Sequence, residues 1–235
     1  MGKKVMNPVL RERLEQNFKL RTLYERAKSI KPVDAAHDFS HMERVAALTL
    51  QIYARELESQ EQRAAVDSEL DQCIAAALLH DCVPIAKNSP LRKDSSRLSS
   101  EKAREWLNEM EFANNAEIDL IAQAVLDHSY SSGRIPTSLL GQALQDADRL
   151  ESLGALGLYR TIATGVAMGA ELFNSEDPWA EKRELNDLKF SLDHFFTKLL
   201  KLPESFRTDA ARAEAHRRAD FLRAFVTQLQ SEITP

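Results

Sequence analysis

The chain has 235 residues, 43% apolar and 29% charged, with a formal net charge of −5, which is enough apolar content to bury a core and excludes a disordered chain. The acidic balance offers no basic tail or stripe for polymeric nucleic acid. No stretch reaches the roughly 18 uninterrupted apolar residues of a membrane span, and the opening MGKKVMNPVLRERLEQ has no apolar signal core, so a cytoplasmic protein without membrane or nucleic-acid partners is expected.

Only 7 glycines occur among abundant Ala, Leu, Glu, Arg and Lys, the strong helix formers, so the expected class is all-α. About seven or eight helices are expected to form one bundle-like domain over residues 1–235, as a monomer or homodimer. Residues 7–28 read as one amphipathic helix carrying Val9, Leu10, Leu14, Phe18, Leu20, Leu23 and Tyr24, stopped by the Lys31-Pro32 step. After the turn VDAAHDFS, Ser40 with Glu43 three residues on predicts a capping box, and a helix runs to about residue 59 with His41 in its first turn.

Asp67 or Ser68 is expected to cap the next helix, which runs through Leu70, Cys73, Ile74, Ala77 and Leu78 and must end before Pro84. His80 and Asp81 then fall in its last turn. Cys73 and Cys82 stand nine positions apart around this helix, lack zinc-site spacing and are read as unbridged buried residues. The polar loop KNSPLRKDSSRLSSE follows. Further helices are predicted near 99–111, 115–128, 137–166, 179–201 and 205–233, separated by Asn114-Asn115, Gly133 to Pro136, Asp177-Pro178 and Pro203.

Three features together carry chemistry: His41 opening a helix, the His80-Asp81 doublet closing another, and the aspartates of QDADRLES. The doublet follows IAAALL, a wholly apolar run, so an imidazole and a carboxylate finish a buried helix and need partners. Adjacent helical residues point about 100° apart, so both reach one ion only if it lies across the seam between their directions, which a helix end makes easier. Asp146 and Asp148, beside Leu144, Leu150, Leu153 and Leu156, are costly to bury without a cation or donors, and the burial argument fits either. Two imidazoles and two carboxylates form a mixed nitrogen and oxygen shell suited to Mn, Fe, Co, Ni or Zn more than Ca.

The ordered strings HDFSHMERV, ALLHD and DADRLESLGALGL resemble the HD-domain metal-dependent phosphohydrolases. AKNSPLRKDSSRLS, VLDHSYSSG and LDHFFTKLLKLP resemble, more narrowly, the bacterial stand-alone branch of that superfamily, and the likeness spans roughly residues 34–215. It implies His41, His80, Asp81 and Asp148 as metal ligands, Asp148 being chosen over Asp146 because it directly precedes Arg149-Leu150. His37, four positions before His41, is the rival first histidine and otherwise takes a role in the outer shell or in substrate binding. Asp81 is assigned a catalytic as well as a ligating part.

A divalent ion that acidifies water and polarises a phosphoryl oxygen suffices for hydrolysis, with Mn or Mg favoured for activity. No GxSxG elbow, P-loop or exposed Cys offers another route. Phosphate oxygens need cations and donors, which the long loop supplies as Lys87, Arg92, Lys93, Ser95 and Ser96, with Arg44 one turn beyond His41 and Arg149 beside Asp148. Lys87 is read both as a substrate contact and as a catalytic cation, and His128 as a general acid for the leaving group or a helix C-cap cation. His194 and Lys198 fit packing as well as a site. His216 reads as exposed, Trp106, Trp179 and Phe195-Phe196 as core or lid packing, and Gly154 and Gly157 as close-packing positions. The resemblance implies cleavage of a (deoxy)nucleoside triphosphate to monophosphate and pyrophosphate. A phosphomonoesterase, a cyclic-nucleotide phosphodiesterase and a non-catalytic binding module are the alternatives.

Overall fold

The computed structural model describes residues 6–31, 39–61, 63–85 and 89–233. The described residues form α1 (Pro8–Gln16), α2 (Phe18–Lys28), α3 (Phe39–Glu61), α4 (Asp67–Leu79), α5 (Ser95–Glu109), α6 (Asn115–Asp127), α7 (Leu139–Leu150), α8 (Gly154–Ala167), α9 (Asp193–Thr197) and α10 (Asp209–Ile233). Short 3-10 helices lie at Pro90–Asp94, Tyr130–Ser132 and Leu199–Ser205. The all-α expectation holds, and the count among the described residues is ten α-helices rather than seven or eight. There is no β-strand among them, only one isolated parallel bridge between Glu171 and Phe190, and no helix is long and apolar enough to cross a membrane. The chain divides into two compact units, Met1–Asp148 and Arg149–Pro235.

In the first unit α4 is the axis. Cys73, Ile74, Ala75, Ala76, Ala77, Leu78 and Leu79 are all buried, and the helix packs against α2, α3 and α6. An all-round apolar helix is stable only when covered on every side, which places its C-terminal end inside the protein. Both cysteines are free and buried, and burial pushes the Cys82 thiol up to about 12.

The single helix expected over 7–28 is two. Asn17 leaves the helical conformation (φ −113°, ψ 107°), caps α2 by accepting from the Leu20 amide at 3.1 Å and donates to Asp71 at 2.7 Å. Asp71 is buried and also receives the Arg13 guanidinium in a fork of 2.9 and 3.0 Å. Ser40, the expected N-cap, lies inside α3, whose first residue is Phe39.

Val66 occupies the N-cap of α4. Without a side-chain acceptor it forms half a capping box: Glu69 reaches back to the Val66 amide at 2.9 Å and is clamped by Arg63 at 2.8 and 3.0 Å. α5 begins earlier than expected, at Ser95, and buries Ser96, Ser99 and Ser100, a face of small hydroxyls against α6. Ser99 accepts from the Val83 amide at 3.3 Å and Ser100 donates to the Ala122 carbonyl at 2.6 Å, so these serines seat the segment after the His-Asp doublet.

In the second unit two expected helices are corrected. The predicted 137–166 helix breaks after α7, because Gly154 adopts φ +69° and the Leu150 carbonyl is taken by Arg218 at 2.8 Å. A Cβ at Gly157 would collide with the Ser152 carbonyl, so both glycines serve backbone geometry. The predicted 179–201 helix is mostly irregular. Asp177 accepts from the Glu181 and Lys182 amides, Ala180 has φ +54°, and buried Asp193 draws the chain back by accepting from Arg183 at 2.6 and 2.8 Å and from the Asn186 amide at 2.7 Å. Only α9 and the following 3-10 helix are ordered as helix there. α10 lays buried Ala211, Ala215, Ala219 and Leu222 toward α8 and the Leu199–Ser205 turn.

The clamp by Arg63 outweighs burial and holds the Glu69 carboxyl down to about 2. A carboxyl whose folded pKa is depressed stabilises fully above its unfolded value near 4.5, and that contribution is lost as pH falls toward 2. Glu69→Gln is expected to cost about 1–2 kcal/mol at pH 7. In denaturant unfolding the difference from wild type should shrink as pH drops below 4.5, and a constant difference would contradict this role.

Candidate metal centre

Four helices of the first unit deliver the cluster. His41 lies in the first turn of α3, His80 is the C-cap of α4 with Asp81 next to it, His128 is the C-cap of α6, and Asp148 is near the end of α7. His41, His80 and His128 are buried at 1%, 0% and 4% exposure, whereas the side chains of Asp81 and Asp148 keep 19% and 30%, so the carboxylates form the accessible rim.

The two C-cap histidines are held alike. His80 Nδ1 donates to the Ala77 carbonyl at 2.7 Å, and His128 Nδ1 donates to the Val125 carbonyl at 2.6 Å, each three residues back. Each bond satisfies a last-turn carbonyl and fixes the tautomer, leaving Nε2 of the neutral ring with its lone pair beyond the helix end. His80 Nε2 lies 3.3 Å from His41 Nε2, 3.7 Å from Asp81 Oδ2 and 4.0 Å from Asp148 Oδ1. His41 Nε2 lies 3.3 Å from Asp148 Oδ1, and His128 Nε2 lies 3.7 Å from Asp81 Oδ1. Asp81 thus stands between two imidazoles.

One ligand atom each from His41, His80 and Asp148 lie within 4.8 Å of one another, the group of this kind found among the described residues. Burial pushes His80 down to about 4, against the pull of Asp81 and Asp148, so the ring is neutral near pH 7. Burial would raise Asp148, but the hydrogen bond from His41 and the neighbouring imidazoles hold it well below the usual carboxylate range. The ring nitrogens of His41 and His80 facing the Asp148 carboxylate fit a divalent cation, with the backbone bond from His80 as the support that metal-bound histidines require.

Asp146 is fully buried and outside this group, whereas Asp148 belongs to it. His37 and Lys87 lie outside the described residues, and Arg92 falls in the 3-10 helix Pro90–Asp94, its side chain undescribed. Arg44 donates to Ser40 at 2.9 Å. Ser96 is buried, and Arg149 is 6% exposed, donating to the Ser205 carbonyl at 2.9 Å and to its hydroxyl, with the guanidinium 4.3 Å from the centre of the Phe206 ring. His194 pairs with Asp187 at 2.9 Å, and His216 lies 3.6 Å from Glu204.

Gln145 escaped the sequence reading. It is fully buried one turn before Asp148, and its Nε2 donates to the Asp127 carbonyl at 2.8 Å and to the Arg134 carbonyl at 3.2 Å. Its signal is a polar residue on the same helical face as Asp148 within an apolar stripe.

Residues 38–153 match the HD domain family, and an HD-superfamily hydrolase of Bacillus thuringiensis superposes with a TM-score of 0.64 at 26% identity, covering 95% of this chain and 97% of that one. The chain belongs to the HD-domain superfamily of metal-dependent phosphohydrolases. This HD phosphohydrolase is also 29% identical over 201 residues to YpgQ, an uncharacterised protein of Bacillus subtilis, spanning 85% of each. The crystal structure of YpgQ in complex with ADP superposes with a TM-score of 0.64 at 26% identity, over 96% of this chain and 97% of that one.

Because His80 is lowered from 6.5 to about 4, its stability contribution is full above 6.5 and declines as pH falls toward 4, where the unfolded chain binds the proton first. In metal-free protein, the nuclear magnetic resonance titration of the His80 ring is expected to stay in the Nδ1–H neutral form down to about pH 4. A midpoint near 6.5 would contradict the burial and the bond to Ala77.

Proposed function

We propose that this HD phosphohydrolase cleaves a soluble nucleotide, a (deoxy)nucleoside triphosphate to monophosphate and pyrophosphate, with His41, His80, Asp81 and Asp148 holding Mn or Mg. The observation that carries the nucleotide is the ADP complex of YpgQ, whose chain aligns with 96% of this one. The ligand assignment is supported by the convergence of His41, His80 and Asp148, with Asp81 Oδ2 3.7 Å from His80 Nε2.

When bound, a divalent ion supplies Lewis acidity to a phosphoryl oxygen and lowers the pKa of water. The chain's own residues do the rest. Ala77 keeps the His80 Nε2 lone pair pointed at the site. Asp81 stands between His80 and His128 and would orient both rings, while His128, whose Nδ1 is committed to Val125, would take up at Nε2 the proton released by the attacking water. His128 is thereby placed as the proton donor to the leaving oxygen.

Arg44, Lys87 and Arg92 neutralise the non-bridging phosphate oxygens in this reading, Lys87 also offsetting charge as the bond breaks, with His37 as a further substrate-binding residue. Ser96 and Arg149, both buried, complete the substrate-binding set of this reading.

With Mn added, a panel of nucleoside tri-, di- and monophosphates and cyclic nucleotides is expected to yield monophosphate and pyrophosphate from triphosphates. His80→Ala and Asp81→Ala should lower kcat by at least about a hundredfold, as should chelation, reversed by adding metal. Silence across the panel would overturn the nucleotide reading. Tight nucleotide binding without turnover in wild type would overturn catalysis in favour of a binding module.

A further inference from the structure

α6 ends among buried residues at Asp127 and His128, and side chains hold that end by its carbonyl groups. Ser100 of α5 donates to the Ala122 carbonyl at 2.6 Å, His128 Nδ1 donates to the Val125 carbonyl at 2.6 Å, and Gln145 Nε2 donates to the Asp127 carbonyl at 2.8 Å. The first two bonds come from α5 and from the C-cap ring itself. The third comes from α7, the helix that carries Asp148.

Packing alone does not call for an amide at position 145. α7 buries Leu140, Ala143, Leu144, Ala147 and Leu150, and an apolar side chain at 145 would extend that stripe at no desolvation cost. The fully buried amide is instead committed to backbone: the same Nε2 that binds Asp127 also donates to the Arg134 carbonyl at 3.2 Å, so it grips the chain on both sides of the Tyr130–Ser132 turn.

The residue that follows the gripped Asp127 carbonyl is His128. Its Nε2 lies 3.7 Å from Asp81 Oδ1, and its ring centre lies 5.0 Å from that of His80. Gln145 stands three residues before Asp148, on the same face of α7. One side chain of fixed length therefore sets how far the backbone under His128 stands from the helix that brings Asp148 to the centre.

We infer that Gln145 is a positioning residue of this HD phosphohydrolase, which holds His128 Nε2 at its station beside Asp81 by tying the end of α6 to α7. This rests on the reading of His128 as the residue that moves the proton. Methionine at 145 would fill the same space without a donor, and asparagine would keep the amide one methylene short of the Asp127 carbonyl.

The test uses full-length protein with Mn and a nucleoside triphosphate. Gln145→Met is expected to lower kcat by about 10- to 100-fold while KM, and Mn affinity measured by calorimetry, stay within about twofold. Gln145→Asn should do the same, and it carries the test if Gln145→Met does not fold. In a His128→Ala background Gln145→Met should lower kcat by less than about twofold more, since the two residues act as one unit. The full loss repeated in that background, or a parallel loss of Mn affinity, would overturn the role. A readout without turnover is nuclear magnetic resonance of labelled histidines in metal-free protein, where Gln145→Met should move the His128 ring signals and leave those of His41 and His80 in place. Unmoved His128 signals, or equal shifts of all three rings, would overturn the proposal even if wild type cleaves no nucleotide, an outcome that would by itself defeat only the nucleotide reading.

Discussion

The bond from His80 Nδ1 to the Ala77 carbonyl is the interaction on which the centre depends. α4 is apolar on all sides, so its last turn ends among side chains rather than in water, where its carbonyls would go unsatisfied. An imidazole at the C-cap answers that need with one nitrogen and leaves the other facing outward. α6 repeats the device with His128 and Val125. Two buried helix ends thus present two Nε2 atoms, with Asp81 between them. The chemistry grows out of how buried helices are terminated.

The rest of the first unit keeps those ends in register. Ser99 and Ser100 seat the segment after the doublet and the α6 backbone, and Gln145 ties α7 to the exit of α6. Each uses a small or short polar side chain on a backbone group, a short lever that leaves little room for drift. Asp148 enters from α7 as the partly exposed member, and the contrast with fully buried Asp146 shows that two residues around a helix change both reach and solvation.

The helix class, the buried character of α4 and the positions of His41, His80, Asp81 and His128 were legible in the amino-acid string, because apolar periodicity and helix stops are local signals. The breaks at Asn17, Gly154 and Asp177 were not. Asn17 is called out of the helix by Asp71, 54 positions away, and Asp193 receives a fork from Arg183 that no periodicity encodes. Asp148 and Asp146 satisfy the same burial argument, and only in three dimensions does Asp148 alone fall beside His41 and His80. Gln145 went unread because its partners are carbonyls, which carry no side-chain signature. The phosphohydrolase class rests on the HD-domain match, while the proposed nucleotide rests on the likeness to ADP-bound YpgQ.

The central claim is that one divalent ion sits where these helix ends meet. The most direct measurement is anomalous X-ray scattering from crystals soaked in Mn. The expected result is a single strong peak within about 2.0–2.3 Å of His41 Nε2, His80 Nε2 and carboxylate oxygens of Asp81 and Asp148. A peak elsewhere, or no peak at saturating Mn, would contradict it.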